Sequence, residues 1–319
     1  MIITVTLNAA IDKSLSVPSF RLGRRHRTTE RRALAGGKGV NVARMLKTLG
    51  QPVIATGFAG GPTGSQILAQ LAEESILHDF VRIREESRTN TSVLDPTTGE
   101  QTEINEQGPS VAADELEQFR EKLLYLARGA AIVVFAGSLP RGVEPELYAQ
   151  LLREVRKLDV ITVVDTDGDP LRHAVRAEPD VVTPNVVEAE ELVGHEFHDD
   201  RDRVDAVHEI VSLGARSAIM TTSDGCWAQV LVDSTPRVYR ITVPRVESVA
   251  TVGSGDAFLA GYIAQRYSGA AVTECLRFGV ACGAESTGRL GAGLIDVRAV
   301  GRLLADVHAH EVELPAAVR

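Results

Sequence analysis

The segment Thr251-Val-Gly-Ser-Gly-Asp-Ala-Phe258 sets small residues against the start of a helical pattern, LAGYIAQR. Gly253, Ser254 and Gly255 can turn their backbone N–H groups toward one point, where the helix dipole adds positive potential. Such a nest suits a phosphate whose charge grows during transfer. Asp256 stands beside it. A carboxylate there serves either as a helix N-cap or as general base for a hydroxyl attacking that phosphate. A second stretch, Ala35-Gly-Gly-Lys-Gly-Val-Asn-Val-Ala43, places Gly36, Gly37 and Gly39 around Lys38 at another helix start. Glycines there allow close backbone approach to a ligand. Asn41, one turn in, has the donor and acceptor ends that sugar hydroxyls need. The plainer reading of this stretch is a tight turn opening a helix.

Other common chemistries are missing. No G-x-x-x-x-G-K-[ST] occurs, because Lys38 is followed by Gly39. No G-x-G-x-x-G follows the first strand pattern, and neither H-E-x-x-H nor G-x-S-x-G is present. Asp165-Thr-Asp-Gly-Asp169 looks calcium-like, but Pro170 and Arg176 stand where a calcium loop needs glycine and glutamate. Cys226, Cys275 and Cys282 show no C-x-x-C spacing and read as reduced thiols of a cytoplasmic protein.

Apolar, β-branched runs alternate with amphipathic stretches and must position these loops. Core strands are expected at 2–7, 53–58, 131–136, 161–165, 181–183 and 217–221, and helices at 38–49, 63–74, 113–127, 145–157 and 202–213. Continuous apolar runs such as AIVVFAG fit strands buried on both faces of a parallel sheet. The alternation predicts a doubly wound α/β fold whose ligands meet the carboxyl ends of the strands. Residues 12–35 and 88–107 break the rhythm and read as short strands of a small separate sheet, a β lid. The α/β core would then comprise 1–11, 36–87 and 108–319. The charged tail after Gly301 reads as a final helix.

The 319 residues are 44% hydrophobic and 24% charged, with net charge −9, which suits a globular protein. That balance excludes a whole-surface nucleic-acid or anionic-membrane binder. No apolar run reaches the roughly 18 residues a membrane helix needs, and Asn8 and Asp12 come too early for a signal peptide. The charge is uneven: residues 21–38 hold six arginines and Lys38 against one acid, Glu30. A basic patch on an acidic chain suits a small anion, or is simply a solvated strand pair.

Gly36-Gly37-Lys38-Gly39-x-Asn41 early and Gly253-x-Gly255-Asp256 late resemble the two signatures of the PfkB family of ribokinase-like carbohydrate kinases. The resemblance extends through Asn8, Asp12, Gly57, Gly60-Gly61, Ala136-Gly-Ser138-Leu-Pro140, Asp165, Thr183-Pro-Asn185-x-x-Glu188 and Phe278–Gly293. Arg88-Thr-Asn90 and Thr102-Glu103-Ile-Asn105 are similar to the hexose-phosphate kinase subgroup, with 1-phosphofructokinase and tagatose-6-phosphate kinase nearest.

The resemblance implies ATP and Mg²⁺ as cofactors, a sugar phosphate as substrate and a homodimer joined through the lid. Asp256 would be the base and Gly253, Ser254 and Gly255 the anion hole. Asp12 and Ser138 would meet the sugar. Lys38 and Arg88 would hold its phosphate, helped by Arg27 with Arg24 or Arg25. Asn90, Glu103 and Asn105 would shape the pocket from the lid. Asn185 and Glu188 would support Mg²⁺ through water. Thr222, Ser223 and Gly225 would lie along ATP, with Cys282 and Gly283 near its adenine. Ala9, Ala250 and Thr222 depart from the usual pattern. The expected acceptor is fructose 1-phosphate, giving fructose 1,6-bisphosphate; others left open are tagatose 6-phosphate, fructose 6-phosphate and an unphosphorylated sugar or nucleoside. A non-catalytic sensor on this scaffold would have lost the base or the anion glycines, and both are present.

Overall fold

The structure, a computed structural model, describes residues 1–244, 252–289 and 291–313. Ala250 and Thr251, which precede the anion loop, lie outside the described residues. In chain order the strands are β1 (Ile2–Thr6), β2 (Ala10–Ser16), β3 (Glu30–Gly36), β4 (Val53–Gly60), β5 (Leu77–Ile83), β6 (Arg88–Leu94), β7 (Gln101–Asn105), β8 (Ile132–Ala136), β9 (Ile161–Asp165), β10 (Val181–Val182), β11 (Ala218–Thr222), β12 (Gly225–Val232), β13 (Thr235–Thr242) and β14 (His308–Val312). The helices are α1 (Lys38–Thr48), α2 (Gly61–Glu73), α3 (Ala113–Ala127), α4 (Leu147–Val155), α5 (Gly168–Val175), α6 (Val186–Val193), α7 (Asp200–Ser212), α8 (Ser254–Tyr267), α9 (Val272–Ser286) and α10 (Val297–Leu303).

Ten strands form one sheet in the order β14-β13-β12-β11-β10-β9-β8-β1-β4-β5. From β11 to β5 every pairing is parallel, and β12, β13 and β14 continue antiparallel. Alternation along each strand feeds two core layers. Ile132, Val134 and Ala136 face one, packed by α1, α2, α8, α9 and α10; Val133 and Phe135 face the other, packed by α3 to α7. Burial on both faces is why β1 and β8 read as unbroken apolar runs.

The expected strands and helices recur with ends that move by at most two residues. The tail is a correction. Residues after Gly301 do not form one helix: α10 passes into a short 3-10 turn, and His308–Val312 then pairs antiparallel with β13. The edge of β13 would otherwise present unpaired backbone groups, and a hydrogen-bonded strand with alternating polar residues covers it.

A second sheet of order β3-β2-β6-β7 stands apart. Two hairpins build it, and a parallel seam between β2 and β6 joins them, with Asp12 in register with Asn90. Arg24, Arg25 and Arg27 lie in the exposed connection between β2 and β3, not on a strand. Pro18 cannot donate to a ladder, and Gly23 takes φ +74°.

Phe135 is fully buried, with its ring 5.7 Å from that of Tyr148. Phe135→Ala is expected to cost about 3–5 kcal/mol, whereas Tyr125→Ala on exposed α3 surface should stay within about 0.5 kcal/mol. Urea unfolding of both checks this, and equal midpoints would contradict the two-layer core.

Candidate active site

Parallel strands release their chain at one edge, and the residues that follow them converge there. Asn8 after β1, Ser138 after β8, Asp167 after β9 and Thr183 and Asn185 after β10 line a cleft of about 550 Å³. The small sheet forms its opposite wall through Asp12, Arg88, Asn90, Gln101, Glu103 and Asn105. A second cavity of about 650 Å³ is lined by Thr222, Ser223, Gly225, Val243, Phe258 and Gly283. Asn185, Thr221, Ser254 and Gly255 line both. The anion loop is therefore the junction of two compartments.

Gly253 caps α8 with φ +84°, a conformation glycine takes without strain. The first helical bond runs from Ala257 N to Gly253 O at 3.0 Å. The N–H groups of Ser254 and Gly255 precede it and have no intrahelical partner. Asp256 is not the cap. It lies inside the first turn, 5% exposed, and its Oδ2 accepts from Asn41 Nδ2 at 2.8 Å. Burial, and then the charge of Asp165, push its carboxyl up to about 7, while Lys38 and the Asn41 hydrogen bond hold it from rising further.

Asn41 lines the cleft. It is 4% exposed, and its amide is held between Asp256 on one side and Arg44 on the other. Lys38 also lines the cleft, where its ammonium lies 3.0 Å from Asp165 Oδ1 and 3.5 Å from Glu188 Oε1. Burial pulls its pKa down, but Asp165, Glu188 and Asp256 more than offset that, so the ammonium stays charged. Glu188 is pushed up, first by burial, and Lys38 partly offsets it.

Asn185 caps α6, accepting from Glu188 N at 3.0 Å, while its own N–H donates to Glu188 Oε2 at 2.9 Å. The capping box leaves Glu188 lining the cleft, so the cap does not remove it from the site. Among the described residues no three His, Cys, Asp or Glu side chains are grouped to cage a metal. Carboxylate oxygens from Asp165 and Glu188 fit instead a hydrated Mg²⁺ held mostly by phosphates.

Asp12 accepts from Asn90 Nδ2 at 2.9 Å and from Gly37 N at 3.4 Å. A Cβ at Gly36 would come within 1.9 Å of Asp12 Oδ2, so Gly36 makes room for it. Arg88 donates to the carbonyls of Asn8 and Glu106 at 3.1 and 3.0 Å. The Oδ1 atoms of Asn8 and Asn90 are buried without a partner, which fits acceptors awaiting hydroxyl donors.

Two expected residues line neither cavity. Arg27 is exposed and lines neither cavity. Cys282 is fully buried against α8 near Gly261, and only its neighbour Gly283 lines the second cavity. Glu103 and Asn105 do line the cleft, as an exposed rim on the small sheet. Thr222 turns its hydroxyl onto Asp224 at 2.8 Å, so it occupies the place of a smaller residue without blocking the cavity. Thr6, Asp167 and Gln101 line the cleft without having been singled out. Arg44 was also missed, although a cation three residues after Asn41 in an apolar run was a readable signal.

The family model described as pfkB family carbohydrate kinase matches residues 5–298. The chain is 30% identical to a 1-phosphofructokinase of Borreliella burgdorferi over 313 residues, covering 98% of this chain and 99% of that one. It is 33% identical to a tagatose-6-phosphate kinase of Staphylococcus epidermidis over 273 residues, covering 82% and 84%. The structure of phosphofructokinase-2 from Escherichia coli in complex with fructose-6-phosphate superposes with TM-score 0.86 at 31% identity, covering 95% and 98%.

A carboxyl whose pKa is raised by folding stabilises the fold fully below its unfolded value, and that contribution is lost as pH rises through about 7. Asp256→Asn is therefore expected to raise the thermal midpoint at pH 8. The gain should shrink as pH falls through 7 and vanish near about pH 4. Calorimetry across that range checks it, and a gain of equal size at every pH would contradict a buried charge.

Proposed function

Because the chain belongs to the pfkB family of carbohydrate kinases, we propose that it transfers the γ-phosphoryl group of ATP to a hydroxyl of a ketohexose phosphate, with fructose 1-phosphate the preferred acceptor. The observation that carries this reading is the shared lining of the two cavities by Ser254 and Gly255, beside buried Asp256. A nucleotide in the second cavity and a sugar in the cleft would meet at that junction.

Asp256 takes the proton of the acceptor hydroxyl as its oxygen attacks the γ-phosphorus, and ADP leaves as the old P–O bond breaks. The N–H groups of Gly253, Ser254 and Gly255 face the transferring phosphoryl and hold the charge it gains. Glu188, with Asn185 through water, would hold Mg²⁺, which supplies charge neutralisation between the nucleotide phosphates. Asp12 and Asn90 orient the sugar hydroxyls. Lys38 and Arg88 receive the phosphate already on the sugar, arginine by a two-point contact and lysine by a point charge.

The small sheet serves as a lid that excludes water as a competing acceptor. Arg24, Arg25 and Arg27 are cations its closure would carry down. Exposed Leu22 and Ile104 and the open edges of β3 and β7 support a homodimer through this sheet.

The relative from Borreliella burgdorferi favours fructose 1-phosphate, and that from Staphylococcus epidermidis supports tagatose 6-phosphate as the second reading. A furanose ketohexose is nearly symmetric end to end, so one cleft accepts a phosphate at either end.

ADP release with fructose 1-phosphate, fructose 6-phosphate, tagatose 6-phosphate and free fructose decides among them. One phosphorylated sugar is expected to lead by about 100-fold in kcat/KM, roughly 2.7 kcal/mol. Its kcat/KM should rise with pH through about 7 as Asp256 ionises, and Asp256→Asn should abolish turnover while acceptor binding persists. Free fructose winning would refute the phosphate roles of Lys38 and Arg88.

A further inference from the structure

Behind the cleft, a second buried charge stands against Asn41. Arg44 lies one turn further along α1 with its side chain 7% exposed. A buried guanidinium is costly unless paired and hydrogen-bonded, and this one is both. Its Nε and Nη2 make a two-point pair with Glu74, just past the end of α2, at 2.5 and 3.0 Å. Nη2 also donates to Ala35 O at 2.6 Å, and Nη1 donates to Asn41 Oδ1 at 3.3 Å.

An asparagine amide has an acceptor end and a donor end, and a half-turn exchanges them. Arg44 carries donors only, so it accepts Asn41 in one orientation alone. The other orientation would set the amide NH₂ against the guanidinium and Oδ1 against the Asp256 carboxylate. Gly293 closes the remaining side: a Cβ there would lie 2.8 Å from Arg44 Nη1 and 3.1 Å from Asn41 Oδ1. Arg44 lines neither cavity, so whatever it does to a bound ligand passes through Asn41.

We infer that Arg44, braced by Glu74, is a positioning residue that locks the Asn41 amide with Nδ2 toward Asp256. The lock fixes Asp256 Oδ2 and leaves Oδ1 for the acceptor hydroxyl. This rests on the reading of Asp256 as the base. Arg44 touches neither substrate, so its loss should slow the chemical step and leave binding intact. The contact chain runs from Glu74 through Arg44 and Asn41 to Asp256.

The test uses the full-length enzyme and steady-state kinetics with its best acceptor. Arg44→Met alone leaves Glu74 unpaired, so the double variant Arg44→Met/Glu74→Met is measured beside it. Both are first checked for a cooperative thermal transition and wild-type nucleotide affinity. The double variant is expected to lose about 10- to 100-fold in kcat with both KM values within about twofold. Arg44→Lys keeps the charge without the fork and should recover only part of the loss. In an Asn41→Ala background the same pair of substitutions should cost nothing further, because residues acting through one contact are not additive. Unchanged kcat in a folded double variant would overturn the inference, as would losses that add to that of Asn41→Ala, or a KM increase at constant kcat. A crystal structure of the double variant gives a readout independent of turnover: Asn41 should have left Asp256, and an unmoved Asn41 overturns the lock. Wild-type silence toward every acceptor would sink the kinase reading instead, and the crystal structure would still decide the lock.

Discussion

Asp256 and Asn41 are 215 positions apart in sequence and meet across 2.8 Å. A carboxylate in so dry a place is tolerated only if a donor reaches it, so the contact dictates how two helices approach. The helix carrying Asp256 is buried on nearly every side from Asp256 to Ala264, as expected of a helix apolar all round. Alanine and glycine along it let α1 and α9 close in, and a Cβ at Gly261 would strike Cys282 Sγ. The cysteine is thus a packing residue, and burial pushes its thiol pKa up, away from reactive thiolate. The packing brings Asn41 close enough to occupy one carboxylate oxygen of Asp256.

Charge in the cleft is sorted by position. Asp165, Glu188 and Asp256 gather near the anion loop with Lys38 among them, and Arg88 stands on the wall made by the small sheet. Three acids around one ammonium leave that end short of positive charge until a cation arrives, which suits a nucleotide that comes with its metal. The wall made by the small sheet, by contrast, has its arginine anchored to the carbonyls of Asn8 and Glu106.

Much of this was readable in the residues. β-Branched runs gave the strands because a strand buried on both faces has nothing polar to show, and the two glycine loops gave the junction because few other residues can bring backbone to a phosphate. What was not readable depends on partners remote in sequence. His308–Val312 is a strand only because β13 offers an edge. Arg27 looked like a ligand by charge, but its exposed place between β2 and β3 is set by chain turns at Pro18 and Gly23. Asn41 had the chemistry for a sugar, and only the packing of α8 against α1 shows that its amide is already engaged.

The parallel seam between β2 and β6 has a consequence for how the molecule assembles. Each hairpin of the small sheet is local, but the seam joins residues 78 positions apart, as between Asp12 and Asn90. The intervening chain must first lay down β4, α2 and β5 on the large sheet before β6 can reach β2. Contacts that close such long loops form late. Each hairpin of the small sheet can therefore form by itself, and the seam that makes them one wall of the cleft closes only when both are in place.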